Sequence, residues 1–210
     1  MKESQNHLKN LYSFHGLFYK RAKTPCRMVL DIKIRIKPPR KPDLMVVMMN
    51  PGSSKPVKPE DVYSNKFALT EPDNTQWQIV RLMEKLGYKY ARVINLSDIR
   101  EPKSHDFYEH LKTTSTHTHS IFHEKREEDF EEYFIENVPV ILAWGVNRKL
   151  EDLALLALEK LNKAERYGYS KEDSHSQFYH PLPRINAKQK EWVEKLEEIM
   201  ASGSKKKVTR

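Results

Sequence analysis

The chain has 210 residues with 37 lysines and arginines against 29 acidic residues, a formal net charge of +8 at neutral pH. This length suits one domain with a sizeable core, and the basic surplus suits a polyanionic partner such as nucleic acid. A single cysteine, Cys26, excludes an internal disulfide framework, and the chain shows no signal-like segment and no apolar run of membrane length, so we expect a cytoplasmic protein.

The first predicted elements lead to the middle of the chain. Residues 1–23 mix polar side chains with aromatic ones, and we set them apart as an N-terminal extension. Residues 26–36 alternate apolar and charged side chains, which predicts an edge-like or half-buried strand. The connector at residues 37–42 holds three prolines, which cannot join a ladder of strands.

An apolar run at residues 44–49 is predicted to form the central strand. A short apolar run bounded by turn residues is typical of a strand buried on both faces in a parallel sheet. The strand is expected to end at Asn50, because Pro51 lacks an N–H and Gly52 permits a positive φ. Ligands of open α/β sheets bind beyond the carboxyl ends of strands, so we expect Asn50 to face a crevice. An ordinary strand-to-loop turn would account for the same residues.

The remaining chain alternates predicted strands and helices. Residues 55–73 are expected to be a long loop, and residues 102–123 a His-rich loop with one helical turn. Helices are predicted at residues 75–86, 124–136, 146–161 and 189–200, and strands at residues 90–96, 138–143 and 177–179. The alternation predicts an α/β three-layer sandwich with a central, mostly parallel sheet. We assign residues 24–201 to one domain and residues 202–210 to a disordered basic tail.

Four strand ends carry motifs that resemble those of the uracil-DNA glycosylase superfamily. M-M-N-P-G at residues 48–52 resembles G-M-N-P-G, the first active-site motif of the single-strand-selective monofunctional branch. H-P-L-P-R at residues 180–184, with Trp192 downstream, is similar to the second motif, H-P-S-P-R. Asn95 stands where the superfamily keeps a strand-end asparagine, and W-G at residues 144–145 matches its W-G strand. The resemblance covers residues 44–192 and implies a uracil-DNA glycosylase-like fold.

The chain also resembles a bacterial and phage family of unknown function. The motifs of that family are N-P-S/T, D-x-T, G-Y, N-L-x-x-x-R and A-W-G, and they correspond here to residues 50–53, 73–75, 87–88, 95–100 and 143–145. This second resemblance implies no activity for the chain. It leaves open that the likeness to glycosylases is one of fold rather than of reaction.

The glycosylase resemblance implies roles for particular residues in cleaving an N-glycosidic bond. Asn50 would orient the attacking water, Asn95 would bind the edge of a pyrimidine, and His180 would donate to the base carbonyl where negative charge develops. The other implied contacts are stacking on an extruded base by Tyr63 or Phe67 and contacts to phosphate or DNA by Gly52, Ser53, Ser54 and Arg184. The implied partner is nucleic acid, most simply DNA, or a nucleotide.

Other functions are open or disfavoured on the same residues. A non-catalytic nucleotide- or DNA-binding protein with the same pocket is the alternative to a glycosylase. A phosphate-transferring enzyme is disfavoured because no G-x-x-x-x-G-K-[ST] loop occurs. We expect no cofactor. We also expect no metal, because His117, His119 and His123 lack a cysteine or carboxylate at zinc-like spacing.

Overall fold

The structure is a computed structural model that describes residues 2–114 and 116–203, with the side chains of residues 2–6 left out. Of the tail predicted at residues 202–210, the part from residue 204 onward lies outside the described residues. The described strands are β1 (Tyr12–Arg21), β2 (Thr24–Ile34), β3 (Leu44–Met48), β4 (Lys55–Pro56), β5 (Phe67–Glu71), β6 (Tyr90–Asn95), β7 (Val140–Leu142) and β8 (Arg166–Tyr167). The described helices are α1 (Lys2–Leu11), α2 (Asn74–Leu86), α3 (Ser104–Thr113), α4 (Glu127–Tyr133), α5 (Glu151–Lys160) and α6 (Asn186–Ala201).

The strands form one mixed sheet in the order β4-β5-β1-β2-β6-β3-β7-β8. The pairs β3–β6, β3–β7 and β7–β8 are parallel. The pairs β1–β2, β1–β5, β2–β6 and β4–β5 are antiparallel. The α/β class predicted from the sequence is confirmed. The sheet is mixed rather than mostly parallel, because a hairpin made by the first two strands forms the middle of it.

The segment of residues 1–23, set apart above as an extension, supplies α1 and β1, and β1 lies between β5 and β2. The strand predicted at residues 26–36 is likewise interior, since β2 pairs with both β1 and β6. The loop predicted at residues 55–73 contains β4 and β5. The strand predicted at residues 177–179 is reduced to isolated bridges from Phe178 to Gly145 and Ser170. A ten-residue helix, α3, replaces the single helical turn predicted among residues 102–123.

Alternate residues of the sheet divide between two hydrophobic cores. We call the side that packs on α2 and α6 the α2 face, and it contains Leu30, Val46 and Val93 together with Trp77, Leu82 and Trp192. We call the side that packs on α3, α4 and α5 the α5 face, and it contains Val29, Val47 and Ile94 together with Phe107, Phe130 and Leu153. Among the described residues, no helix combines the length and the apolar character that crossing a membrane would need.

Candidate functional site

The turns that follow β3 and β6 run side by side at one edge of the sheet. The two strands are parallel and in register, with Met48 opposite Asn95. Beyond that pair, the Leu96 N–H donates to the Met48 carbonyl at 2.7 Å and the Ser97 N–H donates to the Met49 carbonyl at 3.1 Å. The parallel strand β7 ends at the same edge. Side chains at these strand ends therefore share the edge where α/β sheets bind ligands.

Asn50 has a fixed amide orientation just beyond β3. Its Nδ2 donates to the Ile99 carbonyl at 3.2 Å and to the Glu101 carbonyl at 2.8 Å. Both partners are acceptors, so the nitrogen of the amide must face them. Oδ1 makes no hydrogen bond with the described residues, and 7% of the residue is exposed. Asn50 therefore offers one accepting oxygen, which suits holding the O–H of a water.

Asn95 is the last residue of β6, and its amide has no hydrogen-bond partner among the described residues. The residue is 0% exposed, and neither Nδ2 nor Oδ1 makes a hydrogen bond within the described part of the chain. Its side chain lies on the α2 face, because Val93 two residues earlier packs there. A buried polar group without a partner costs about 1–3 kcal/mol. Such an amide is a candidate for binding a ligand that presents a donor beside an acceptor.

The turn at residues 50–54 packs on the start of α2. Asp73 caps this helix, since its Oδ1 accepts from the N–H groups of Thr75 and Gln76 at 2.9 and 3.2 Å. Gly52 has a φ of +62, and a Cβ at this position would lie 3.2 Å from Asp73 Oδ2. Glycine is therefore favoured here for two reasons: it adopts the left-handed backbone without strain, and it leaves room for the side chain of Asp73. The adjacent Ser53 is exposed.

Ser54 closes the turn with its side chain inside the protein. It is 1% exposed, and its Oγ has no hydrogen-bond partner among the described residues. The backbone holds it in place, because its carbonyl accepts from Arg100 Nε at 2.9 Å. The hydroxyl of Ser54 is a second unpartnered polar group at this edge.

His180 lies beside the carboxyl end of β7 and against α2. The Gly145 N–H donates to the carbonyl of Phe178, and Gln78 Nε2 donates to the carbonyl of Pro181. His180 Nδ1 accepts from the Leu182 N–H at 3.1 Å. Burial lowers the pKa of His180 to about 4. The ring is therefore neutral near pH 7 and carries its proton on Nε2, where it can donate to a ligand.

The two aromatic residues predicted to stack on a base lie apart from one another. Phe67 pairs with Leu17, which belongs to the core on the α5 face, so Phe67 lies on the opposite side of the sheet from Asn95. Its ring is 5.9 Å from the guanidinium of Arg92. Tyr63 is exposed, and its ring lies 4.9 Å from Lys20 Nζ.

Arg184 follows the H-P-L-P run and is exposed. No carboxylate among the described residues pairs with it. The residues that the structure brings to one edge are Asn50, Gly52, Ser54, Asn95 and His180, and we call them the carboxyl-edge site.

Arg27 is a site residue that the sequence analysis missed. It is 1% exposed, and its Nε and Nη1 have no partner among the described residues. Its neighbour Cys26 belongs to the α5 face, so Arg27 lies on the α2 face with Asn95. Burial lowers the pKa of Arg27 to about 10, which leaves it charged at neutral pH. The only indication of a buried Arg27 in the sequence was its position between Cys26 and the apolar run at residues 28–30.

A second polar cluster lies on the α5 face. Asp98 is fully buried there and accepts from Tyr19 Oη and from Arg126 Nη1, each at 2.7 Å. Asp98 Oδ2 thus joins β1 to the chain before α4, whereas Asp98 Oδ1 and Arg126 Nη2 have no partner among the described residues. Among the described residues, no group of three or more His, Cys, Asp and Glu side chains is arranged to hold a metal ion.

A groove of about 1000 Å³ lies elsewhere, between α4 and α5. Phe130, Phe134 and Leu156 line it together with charged residues such as Glu127 and Lys160, which pair with each other. None of its described lining residues has a buried polar atom without a partner. We place the candidate site at the carboxyl edge because the buried polar groups of Ser54 and Asn95, which lack partners among the described residues, lie there at the ends of parallel strands.

Comparison with known proteins gives one family. The model of a family described as "Protein of unknown function (DUF1643)" matches residues 27–182, which is more than half of the 210-residue chain. No curated protein and no solved structure matches the chain.

Proposed function

This chain belongs to the DUF1643 family, and we propose that its carboxyl-edge site recognises a nucleobase within a three-layer fold like that of uracil-DNA glycosylases. The observation that supports the proposal is the Asn95 amide, whose donor and acceptor are both buried and both without a partner in the described part of the chain. A pyrimidine edge presents an acceptor beside a donor, which matches a side-chain amide. Binding such an edge would satisfy both atoms of Asn95 in one step.

The proposed reaction is excision of the base from DNA by a positioned water. Asn50 Oδ1 is the accepting atom left over after its Nδ2 binds two carbonyls, so it would orient the water. The water oxygen would bond to C1′ of the sugar while the N-glycosidic bond breaks, with the electron pair leaving on the base. Asn50 takes no proton, so the proton of the water would pass to solvent.

His180 would stabilise the departing base. A neutral imidazole that accepts at Nδ1 has its N–H at Nε2, and this donor can bind a base oxygen as negative charge grows on it. A donor that is already oriented, as on the half-buried His180, does not need to reorient during the reaction. The role of His180 therefore depends on its staying neutral, which its lowered pKa supports.

A non-catalytic protein that binds nucleotides or DNA in the same pocket is the second candidate. Two positions favour it. Met48 stands where the resembling glycosylase motif has glycine, and Leu182 stands where the second motif has serine. Met48 is buried in the α2 face, so a side chain fills space that the motif leaves free.

The test uses purified protein and single- and double-stranded oligonucleotides that carry uracil, hypoxanthine or another altered base. Abasic sites are measured by strand scission in alkali, and binding is measured by fluorescence anisotropy. Excision requires scission at the altered base by the wild type, and loss of scission with retained binding in Asn50→Ala. Binding without scission, weakened by Asn95→Ala, identifies the non-catalytic protein. If the wild type shows neither binding nor scission with any base, nucleobase recognition is wrong.

A further inference from the structure

Arg27 is a buried cation that forms no ion pair with the described residues. An unpaired charge inside a protein costs several kcal/mol, so such a charge is normally paired. The carboxyl groups whose charge acts on Arg27 are Asp73 and Asp98, and neither forms an ion pair with it in the described structure. Asp73 Oδ1 accepts in the cap of α2 and Asp98 Oδ2 accepts from Arg126, and no oxygen of either carboxylate bonds to the guanidinium of Arg27 in the described structure. The positive charge of Arg27 therefore remains available to an anion.

Arg100 brings a second guanidinium to the same place. Its N–H donates to the carbonyl of Pro25 at 3.0 Å, so Arg100 runs beside the start of β2. Its guanidinium carbon is 5.4 Å from the ring centre of Phe18, the residue that pairs with Arg27 across β1 and β2. Arg100 forms no ion pair with the described carboxylates. The positive charges of Arg27 and Arg100 therefore act on each other, and an anion between them would relieve the repulsion.

Ser54 adds a hydroxyl donor, because Arg100 holds its carbonyl while its buried Oγ has no partner. Guanidinium groups and a hydroxyl are the donors that bind phosphate oxygens. Arg27 and Asn95 lie on adjacent strands and on the same face. Leu30, three residues after Arg27, pairs with Val93, two residues before Asn95.

We propose that Arg27, Arg100 and Ser54 form a phosphate-binding subsite beside Asn95, so that the ligand is a phosphorylated nucleoside, either free or within a strand. The assignment of the nucleoside rests on the proposed function, whereas the assignment of the phosphate rests on Arg27 itself. Base and phosphate would then be bound by neighbouring groups on the α2 face.

The experiment measures binding by titration calorimetry with four probes: 2′-deoxyuridine, its 5′-monophosphate, a uracil-containing oligonucleotide and inorganic phosphate. We expect one of the two phosphorylated nucleosides to bind at least tenfold more tightly than deoxyuridine. The monophosphate identifies a free nucleotide as ligand, and the oligonucleotide identifies a strand. We expect Arg27→Met to abolish this advantage, so that the phosphorylated probe binds no more tightly than deoxyuridine. Arg27→Lys, which keeps the charge, should restore part of it.

The matched control is Arg166→Met, a half-buried arginine at the far edge of the sheet whose Nη1 donates to the Leu158 carbonyl. It should leave all four affinities unchanged. Thermal melting shows whether each variant is folded, and Arg27→Met is expected to melt no lower than the wild type because it removes an unpaired charge. Equal binding of deoxyuridine and both phosphorylated probes, or a phosphate advantage that survives Arg27→Met, would overturn the subsite. Phosphate binding that needs Arg27 without any nucleoside binding would support the subsite and reject nucleobase recognition.

Discussion

Asn50 lies two residues beyond the end of β3, and Asn95 is the last residue of the adjacent parallel strand β6. Of their two amides, only that of Asn50 forms hydrogen bonds with the described residues. Asn50 Nδ2 donates to two backbone carbonyls, whereas both polar atoms of Asn95 are buried without a partner. The first amide is bound into the fold, and the second is available to a ligand. This difference predicts opposite effects of the same substitution at the two positions.

Asn95→Ala is expected to be neutral for stability or to raise the free energy of unfolding by up to about 1–3 kcal/mol, because it removes buried polar atoms that have no partner. Asn50→Ala should lower it by about 1–3 kcal/mol, since two carbonyls lose their donor. Urea denaturation followed by circular dichroism measures both. A large loss of stability in Asn95→Ala would show that its amide has a structural partner. Asn95 would then not be the residue that binds the base.

His180→Ala is expected to slow excision by about 2.7–4 kcal/mol of transition-state stabilisation, as for other lost oxyanion donors. DNA affinity should stay nearly constant, because charge on the base develops mainly in the transition state. Single-turnover kinetics on a uracil oligonucleotide separates the rate of excision from the affinity for DNA. The wild-type rate should not fall between pH 7 and pH 5 through titration of His180, whose pKa is lowered to about 4 by burial. A break near pH 6.5 would contradict this assignment.

His119 is expected to make the protein sensitive to acid. It is 1% exposed, neither ring nitrogen has a partner among the described residues, and burial followed by the charge of His117 lowers its pKa to about 4. The unfolded chain binds a proton near pH 6.5, so stability is full above that pH and is lost as the pH falls toward 4. The loss is about 3 kcal/mol for a difference of roughly 2.5 pH units.

Urea denaturation at pH 7.5, 6, 5 and 4.5 measures this loss, and His119→Phe should flatten the profile. His180 contributes in the same direction, so some dependence should remain. The control is His105→Phe, at an exposed position on α3. An unchanged profile in His119→Phe would mean that another group titrates.

Gly52→Ala should cost more stability than Gly87→Ala. Both glycines have left-handed φ values, +62 and +78, so each alanine carries a backbone cost of about 1–2 kcal/mol. At Gly87 nothing lies within 4 Å of an added Cβ, whereas at Gly52 the Cβ would press on Asp73 Oδ2. Disturbing that cap adds about 1 kcal/mol. Thermal and urea denaturation of the two variants measures the difference in stability that the contact with Asp73 causes. Equal losses of stability in the two variants would show that Asp73 moves away without cost.

Arg184→Ala is expected to weaken the binding of single-stranded DNA and to reduce its dependence on salt. An exposed arginine that contacts one phosphate contributes about 0.7 to the slope of log affinity against log salt for single strands. Arg40→Ala is the matched control, since Arg40 is also exposed but precedes β3 and so lies at the amino end of that strand. Anisotropy titrations at several salt concentrations measure both slopes. Equal slopes in the two variants would show that Arg184 does not contact the phosphates of the DNA.

The parts of the fold that follow simple patterns were predictable from the sequence. The apolar run predicted at residues 44–49 is β3, and the helix predicted at residues 75–86 is α2, with Asp73 as its cap and Gly87 after its last residue. Each has a local signal, an unbroken apolar run or a capped amphipathic repeat. The prediction that Asn50 and Asn95 lie at neighbouring strand ends depended only on parallel pairing.

The first strand was not predictable in the same way. β1 is buried on both faces, so it lacks the alternation of polar and apolar residues that marks a half-buried strand. Arg27 was missed for a related reason. Arginine in a strand normally indicates an exposed position, and only the folded structure, in which Arg27 is 1% exposed, shows that it is enclosed.

Because β1 lies inside the sheet, a fragment of this protein must include β1 in order to fold. The family model begins at Arg27, after β1 has ended. A chain cut at that point would separate β5 from β2 and leave both with unpaired backbone groups, which in sheet proteins promote pairing between molecules. Such a fragment should self-associate through these exposed strands. The folding unit therefore extends on the amino-terminal side beyond the segment that the family model matches.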